Sequence, residues 1–236
     1  MSAAPSSGTL RGVSVVVPVA PGDGAWVELL PALLAALPPG ADVVLAGAEA
    51  RPAAVPDSRN VRWIVVPRGR ARQLNAGARA ARGDWLWFLH ADSRLDASTV
   101  PALARALGAV GGGGREAVYY FDLAFLPDGP RLMRLNALGA WARSRWGKMP
   151  FGDQGLCVPR VVFARLGGFD ASAPYGEDHL FVWRARQAGV AVRPARGRLW
   201  TSARRYHDAG WLRTTARHVR LTARQAWPEW VKLMRA

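Results

Sequence analysis

The chain has 236 residues, half of them hydrophobic, with 32 basic against 17 acidic side chains and a formal net charge of +15. That composition suits a folded domain with a sizeable core and excludes a disordered chain, while the single Cys157 excludes a disulfide framework and a cysteine-based zinc site. No apolar run approaches the roughly 20 residues of a membrane span, and the positive excess favours polyanionic partners: nucleic acid, an anionic membrane surface or phosphorylated substrates. The basic residues are almost all Arg, which a GC-rich genome also produces, so the charge alone does not choose among them.

Residues 1–11 are small and polar and read as a disordered leader. No charged and apolar signal segment is visible, so the reducing cytosol is the expected compartment, with peripheral attachment to the inner membrane face as an open alternative. "VSVVVPVA" (13–20) is the continuous β-branched run of a strand buried on both faces of a parallel sheet. A helix is expected from about Trp26 to Leu37, then strands at "ADVVLAG" and "VRWIVVP", and an Ala-rich helix from about Ala71 to Arg82 that closes on Gly83. "DWLWFLHA" is a fourth strand. Strands alternating with helices at this spacing predict right-handed βαβ units and a mostly parallel sheet covered on both faces.

The second half is less regular. "DASTVPALARALGAV" reads as a helix capped by Asp96 or Ser98, "GGGG" as a flexible connection, and "EAVYYFDLAFL" as a strand near an edge or outside the parallel core. "RLMRLNALGAWARSRW" is a helix with an apolar stripe, "FGDQGLCVP" a loop entering a short strand, and "GEDHLFVWRARQAG" a helix opening on two acids that suit its dipole. Residues 209–236 form a basic amphipathic helix packed on or beside a domain of 12–208.

Four constellations carry possible chemistry. In open α/β sheets ligands sit beyond the carboxyl ends of strands, where "HAD" falls. Asp92 there either holds a hard divalent cation together with substrate phosphates or caps a turn before the next helix. "PRGRARQLNAG" brings Arg68, Arg70 and Arg72, with the amides of Gln73 and Asn75, to a helix start suited to an anion, or is merely a solvated basic turn. Glu177 and Asp178 are adjacent, so on a helix they point about 100° apart. One could be a general base and the other a helix-start group, or both only complement the dipole; His179 reads as a packing or surface residue. In the C-terminal helix Arg213, Arg217, Arg220 and Arg224 recur beside a stripe of Leu212, Ala216, Val219 and Ala223. That helix could dock on anionic lipid, reach substrate phosphates, or pack its stripe and leave the arginines wet, the commonest outcome.

Taken in order, "VVVPV", "GRARQLNAGARAARGDWLWFLHADSRL", "GDQG", "LGGFD", "GED" and "TSARR" resemble the family 2 glycosyltransferases of the GT-A fold. They resemble most the small subgroup labelled arsenosugar-biosynthesis or radical-SAM/selenodomain-associated glycosyltransferases. The resemblance covers about residues 13–215 and implies a Rossmann-like αβα sandwich with a C-terminal helical extension. It implies a nucleotide-diphosphate sugar donor, a UDP-sugar first, and a small-molecule or lipid-linked acceptor. "HAD" stands where relatives carry Asp-x-Asp, so the resemblance makes Asp92, with His90 in place of the first acid, the ligands of Mg²⁺ or Mn²⁺. It places Pro18, Arg70, Arg72, Gln73, Asn75 and Ala91 against the nucleotide sugar, and Arg204 and Arg205 against the departing diphosphate. Gly152, Asp153 and Gln154 would face the acceptor, with Asp178 the general base and Glu177 its neighbour.

Inverting sugar transfer needs a base on the acceptor hydroxyl and positive charge opposite it for the leaving diphosphate, which these roles supply. Relatives carry Asn-Glu after the first strand and an acid-rich turn after the second. Here "APGDGAW" and "AGAEARPAA" stand instead, leaving Asp23 and Glu49 as the available acids. Two other functions stay open: a non-catalytic or degenerate protein of the same fold that binds anionic ligands or a membrane surface, and a sugar-phosphate nucleotidyltransferase faintly suggested by "VVLAGAEARPA". Nucleic acid is a poor partner, because the aromatics are expected mainly in core strands and helices and offer no stacking platform.

Overall fold

The computed structural model describes residues 9–109 and 116–235. In chain order the elements are β1 (Val13–Val19), α1 (Trp26–Ala36), β2 (Asp42–Gly47), β3 (Val61–Val65), α2 (Arg70–Ala80), β4 (Trp85–Phe88), β5 (Arg94–Leu95), α3 (Thr99–Gly108), β6 (Ala117–Phe125), α4 (Met133–Arg145), β7 (Cys157–Pro159), α5 (Arg160–Arg165), α6 (Glu177–Gln187), β8 (Ala191–Thr201), α7 (Arg204–Ala209) and α8 (Trp211–Arg235). The first four long strands behave as their β-branched composition predicts: β3, β2, β1 and β4 lie side by side, all parallel. The sheet then continues β7-β6-β8-β5, antiparallel at β4/β7, β7/β6 and β8/β5 and parallel at β6/β8.

Helices cover both faces, as the alternation of strands and helices requires. On one face α1 contributes Trp26, Leu29, Leu30 and Leu33, and α3 contributes Val100, Leu103 and Leu107, against Val13, Val15 and Val17 of β1. On the other, Leu74 and Ala78 of α2, Phe163 of α5 and Phe181 and Val182 of α6 pack against Val16, Leu86 and Phe88. Both layers are closed by large fully buried side chains such as Trp87, Phe121 and Phe181.

Five expectations change or narrow. The leader is structured from Thr9, in a single 3-10 turn to Gly12, because Leu10 finds an apolar site and is 4% exposed; residues 1–8 and the "GGGG" segment lie outside the described residues. Helix α2 ends at Ala80, two residues early, and Gly83 serves a close approach instead: a Cβ there would lie 2.4 Å from the Gly12 carbonyl oxygen. Strand β6 is interior, paired on both sides, since "AVYYF" buries almost every side chain. Of the two expected caps Asp96 serves the start of α3 and Ser98 does not: the Asp96 carboxylate accepts the Ser98 amide at 2.9 Å and the Thr99 hydroxyl accepts the Asp96 amide at 2.8 Å, while the Ser98 hydroxyl donates to Asp96 and accepts the Arg198 amide. The apolar stripe of α4 points outward, leaving Leu135, Leu138 and Trp141 exposed.

At the amino ends of the strands a buried polar knot holds β1, β2 and the α2–β4 connection together. Asp42 accepts from the Ser14 hydroxyl at 2.6 Å, from the Arg62 guanidinium at 2.5 Å and from the Arg82 amide at 2.9 Å. Asp42→Ala would strand a buried guanidinium and two further donors. It is expected to lower unfolding free energy by about 3 kcal/mol in denaturant titration.

Candidate active site

The carboxyl ends of the strands open into a cleft, and the side chains there come from four separate segments. The tip of β4 delivers His90, Ala91 and Asp92; the 3-10 turn Gly152–Gln154 delivers Asp153; the first turn of α6 delivers Glu177 and Asp178; and the start of α2 delivers Arg70. Arg70 ties them together. Its Nε lies 3.2 Å from Glu177 Oε1, its Nη2 lies 3.8 Å from Asp178 Oδ2, and the same Nη2 meets His90 Nε2. Gly152 allows this convergence: a Cβ there would lie 2.6 Å from Arg70 Nη2 and 2.7 Å from Asp178 Oδ2.

The electrostatics follow from that packing. Burial and then the adjacent Arg70 push the His90 pKa well down, so the imidazole is neutral and accepts from the guanidinium. Burial works to raise the Asp178 pKa. Arg70, the Gly152 amide and the His179 amide outweigh it and hold the carboxyl below its ordinary value, so Asp178 is an ionised carboxylate. Asp153 differs: burial raises it to about 6 against the attraction of Arg143, and its Oδ1 is enclosed with no hydrogen-bond partner among the described residues. Asp92 is also raised by burial, opposed by Arg205 and Arg204.

The cleft therefore has an acidic wall of Asp178 and Asp153 and, near Asp92, a basic wall of Arg204 and Arg205. Beside Asp92 a cavity of about 530 Å³ is lined by Asp23, Arg204, Glu28 and Arg94. Arg204 Nη2 is 3.9 Å from Asp23 Oδ1, and Glu49 reaches the same loop by accepting the Gly22 amide at 3.3 Å. Both acids named as stand-ins thus border the loop after β1. Among the described residues no cluster of three His, Cys, Asp or Glu side chains could hold a metal ion by itself. Asp92 fits a cation held by one carboxylate plus substrate phosphates, whereas the Nε2 of His90 is engaged by Arg70.

Several residues expected against the ligands make framework contacts. The Gln73 amide donates to the carbonyls of Val19 and Ala46, both at 2.7 Å, joining the ends of β1 and β2. Asn75 donates to the Phe169 carbonyl at 2.7 Å and accepts the Phe169 amide at 2.9 Å, so it pins the "LGGFD" turn, where Gly168 adopts φ +66° with no room for a Cβ beside the Asn75 oxygen. Gln154 is buried and accepts from Arg143, Ser144 and the Phe151 amide while donating to the Phe121 carbonyl. Arg70 pairs with Glu177 and Asp178, and Arg72 is exposed. Pro18 lies in β1 opposite Ala46, and Ala91 is buried behind Asp92. His179 is a packing residue: it bonds Gln225 at 2.7 Å and accepts the Trp183 indole at 2.9 Å.

One site residue had no signal in the sequence. Arg143 of α4 stacks over the Phe151 ring at 3.4 Å, donates to the Met149 carbonyl and faces Asp153. Its helix looked like an apolar stripe with surface arginines, and only the chain reversal at 146–151 turns this one inward.

Residues 47–113 match the family model described as Glycosyl transferase family 2. No curated protein matches the sequence. Among solved structures the chain is similar to residues 1–349 of Staphylococcus aureus TarS in complex with UDP-GlcNAc, at 15% identity over 81% of this chain and 58% of that one, with a TM-score of 0.60. It is also similar to the mannosyltransferase PcManGT from Pyrobaculum calidifontis in complex with GDP-Man and Mn²⁺, at 20% identity over 84% of this chain and 58% of that one, with a TM-score of 0.61. The chain thus has a GT-A type fold with a long C-terminal helix, and it spans little more than half the length of either structure.

Two outcomes test the electrostatic account. A carboxyl whose folded pKa is raised costs nothing below its unfolded value near 4 and costs most above about 6, so Asp153→Asn should be neutral at pH 4 and stabilising at pH 7.5. Partial exposure discounts the gain to about 1–2 kcal/mol, read from melting curves across that pH range. Arg70→Met removes the partner of Glu177 and Asp178 and should destabilise by about 3 kcal/mol at pH 7.5, read from melting curves.

Proposed function

We propose that this chain transfers a sugar, with inversion, from a nucleotide-diphosphate donor to an acceptor hydroxyl. The observation that carries the reading is the division of the cleft: an ionised Asp178 on one side, and Asp92 with Arg204 and Arg205 on the other. The reaction needs these two poles, since a base must take the proton of the attacking hydroxyl while positive charge receives the leaving phosphate. The family model matched at 47–113 and the nucleotide sugars bound to the two similar structures support it.

Asp178 is the base. Its two backbone N–H bonds fix the carboxylate before substrate arrives, and Arg70 and Glu177 hold the start of α6 against the 152–154 turn. Asp153, protonated below about pH 6, orients the acceptor hydroxyl from the neighbouring position. Arg204 and Arg205 neutralise the diphosphate as it departs. The cavity beside Asp23 and Arg94 takes the nucleoside, a UDP-sugar first among donors, and the acceptor is a small molecule or a lipid-linked one. Asp92 would hold Mg²⁺ or Mn²⁺, which supplies Lewis-acid neutralisation of the diphosphate when bound; Mn²⁺ accompanies GDP-Man in the similar mannosyltransferase.

Incubation with a panel of nucleotide sugars and Mn²⁺, read by donor hydrolysis and thermal shift, tests the proposal. Asp92→Ala and Asp178→Asn should each lower turnover by about 10²–10³-fold, with Asp178→Asn retaining the donor-induced thermal shift. No response to any nucleotide, with Asp92→Ala indistinguishable from the parent, would overturn it, and formation of a nucleotide sugar from a triphosphate would replace it with a nucleotidyltransferase.

A further inference from the structure

Helix α8 packs on α6 by a mixed side. Ala226 and Leu233 join the core layer that includes Phe181 and Val182, while Gln225 bonds His179 and the Tyr175 carbonyl and Glu229 accepts from Gln187 at 2.9 Å. The apolar stripe is left free. Leu212, Ala216, Val219, Ala223, Trp227, Trp230 and Met234 lie within about 80° of helix surface, and all are exposed, from 46% for Trp230 to 73% for Leu212. The commonest outcome for such a helix, a packed stripe and a wet basic face, is therefore not the one found. Beside the stripe runs a row of exposed Arg213, Arg217, Arg220 and Arg224. Glu229, the sole acid of the helix, is turned inward.

The surface extends beyond α8. The Trp211 indole donates to Asn136 of α4 at 2.6 Å, and α4 carries its own exposed apolar row, from Trp141 at 39% to Leu138 at 60%, with Trp146 beyond it at 77%. A second cavity, of about 590 Å³ and predominantly basic, lies between α7 and α8 and is lined by Arg205, Arg213, Arg217 and His218, with Asp208 at its side. Arg205 also acts on Asp92, so the cleft and the basic face of α8 share an edge.

We propose that the free face of α8 is an interfacial anchor that seats this protein on an anionic lipid surface, with Trp227, Trp230 and Met234 in the acyl boundary and the arginine row among the headgroups. The pattern is that of a helix lying in the interface plane: an apolar face with Trp, a strongly basic flank and no acid among them. No helix among the described residues is long and apolar enough to cross a bilayer, so the contact is peripheral. Charge complementarity favours lipid over a second copy of the chain, because symmetric pairing of the stripes would bring the two arginine rows together. It favours lipid over nucleic acid because the exposed tryptophans continue an apolar stripe with Leu212, Val219 and Met234, a surface that suits acyl chains and has no use in base stacking. The inference is independent of the catalytic reading.

Flotation with vesicles of phosphatidylcholine alone, or with 30% phosphatidylglycerol at about 50 mM and 500 mM salt, tests it using the full chain. Binding is expected only to the anionic vesicles and should weaken by about tenfold or more in high salt. Trp227→Ser with Trp230→Ser, and separately Arg217→Glu with Arg220→Glu, should each weaken it by about tenfold or more while leaving the melting temperature unchanged. Brominated acyl chains should quench the tryptophan fluorescence of the parent, a readout that needs no variant. No flotation at low salt, or flotation without quenching, overturns the proposal. So does a dimer abolished by the Trp pair without vesicle binding, or salt-sensitive DNA binding that the Trp pair leaves intact.

Discussion

The cleft depends on the Arg70 guanidinium. Three polar groups from distant parts of the chain, His90, Glu177 and Asp178, are brought together at a point where two acids would otherwise repel. A planar, permanently charged fork can face all three at once, which a lysine ammonium could not do with the same geometry. The close packing also demands Gly152, since any side chain there would occupy the volume of the guanidinium and the carboxylate. The cost is visible in the neighbours: His90 is kept neutral and Asp178 is kept ionised, so both residues are committed to one protonation state before any ligand enters.

The same cation accounts for how the acidic wall is graded. Asp178 lies beside Arg70 and two backbone amides, whereas Asp153, one residue beyond Gly152, has no partner for Oδ1 among the described residues and feels Arg143, itself bound over an aromatic ring, more than Arg70. Two carboxylates in one cleft therefore titrate apart, the arrangement that separates acid and base duties in many transferases and hydrolases. Arg204 and Arg205 follow β8 after two residues, so the long strand between β6 and β5 also delivers the positive pole.

Much of the fold was legible in local pattern. The β-branched runs of β1 and β2, the Ala-rich α2 and the polar tip of β4 all follow from periodicity, because strands buried on both faces have no other use for such runs. The "HAD" segment follows β4 and the "GED" segment opens α6, as their patterns predict. The amides have a framework use that their motifs do not announce. Gln73, Asn75 and Gln154 lie in the most recognisable motifs, yet each donates or accepts within the framework, holding a strand end or a turn in place. A buried amide that braces a loop and one that faces a nucleotide have the same sequence signature, and only the partner distinguishes them. Most aromatics are buried or half-buried, as expected of core strands and helices, whereas Trp141, Trp146, Trp227 and Trp230 are exposed.

By itself the sequence determined the α/β class, the order of the parallel strands' helices and the positions of Asp92, Glu177 and Asp178 at element ends, since these depend on periodicity and on chain direction. Tertiary structure alone decided which side of each surface helix turns inward. On α8 the polar Gln225 and Glu229 find buried partners on α6, and on α4 the reversal before Phe151 draws Arg143 in, so the apolar stripes of both helices face out. Amphipathic spacing identifies two faces of a helix, but the neighbour that can satisfy one of them is contributed by residues far away in the chain.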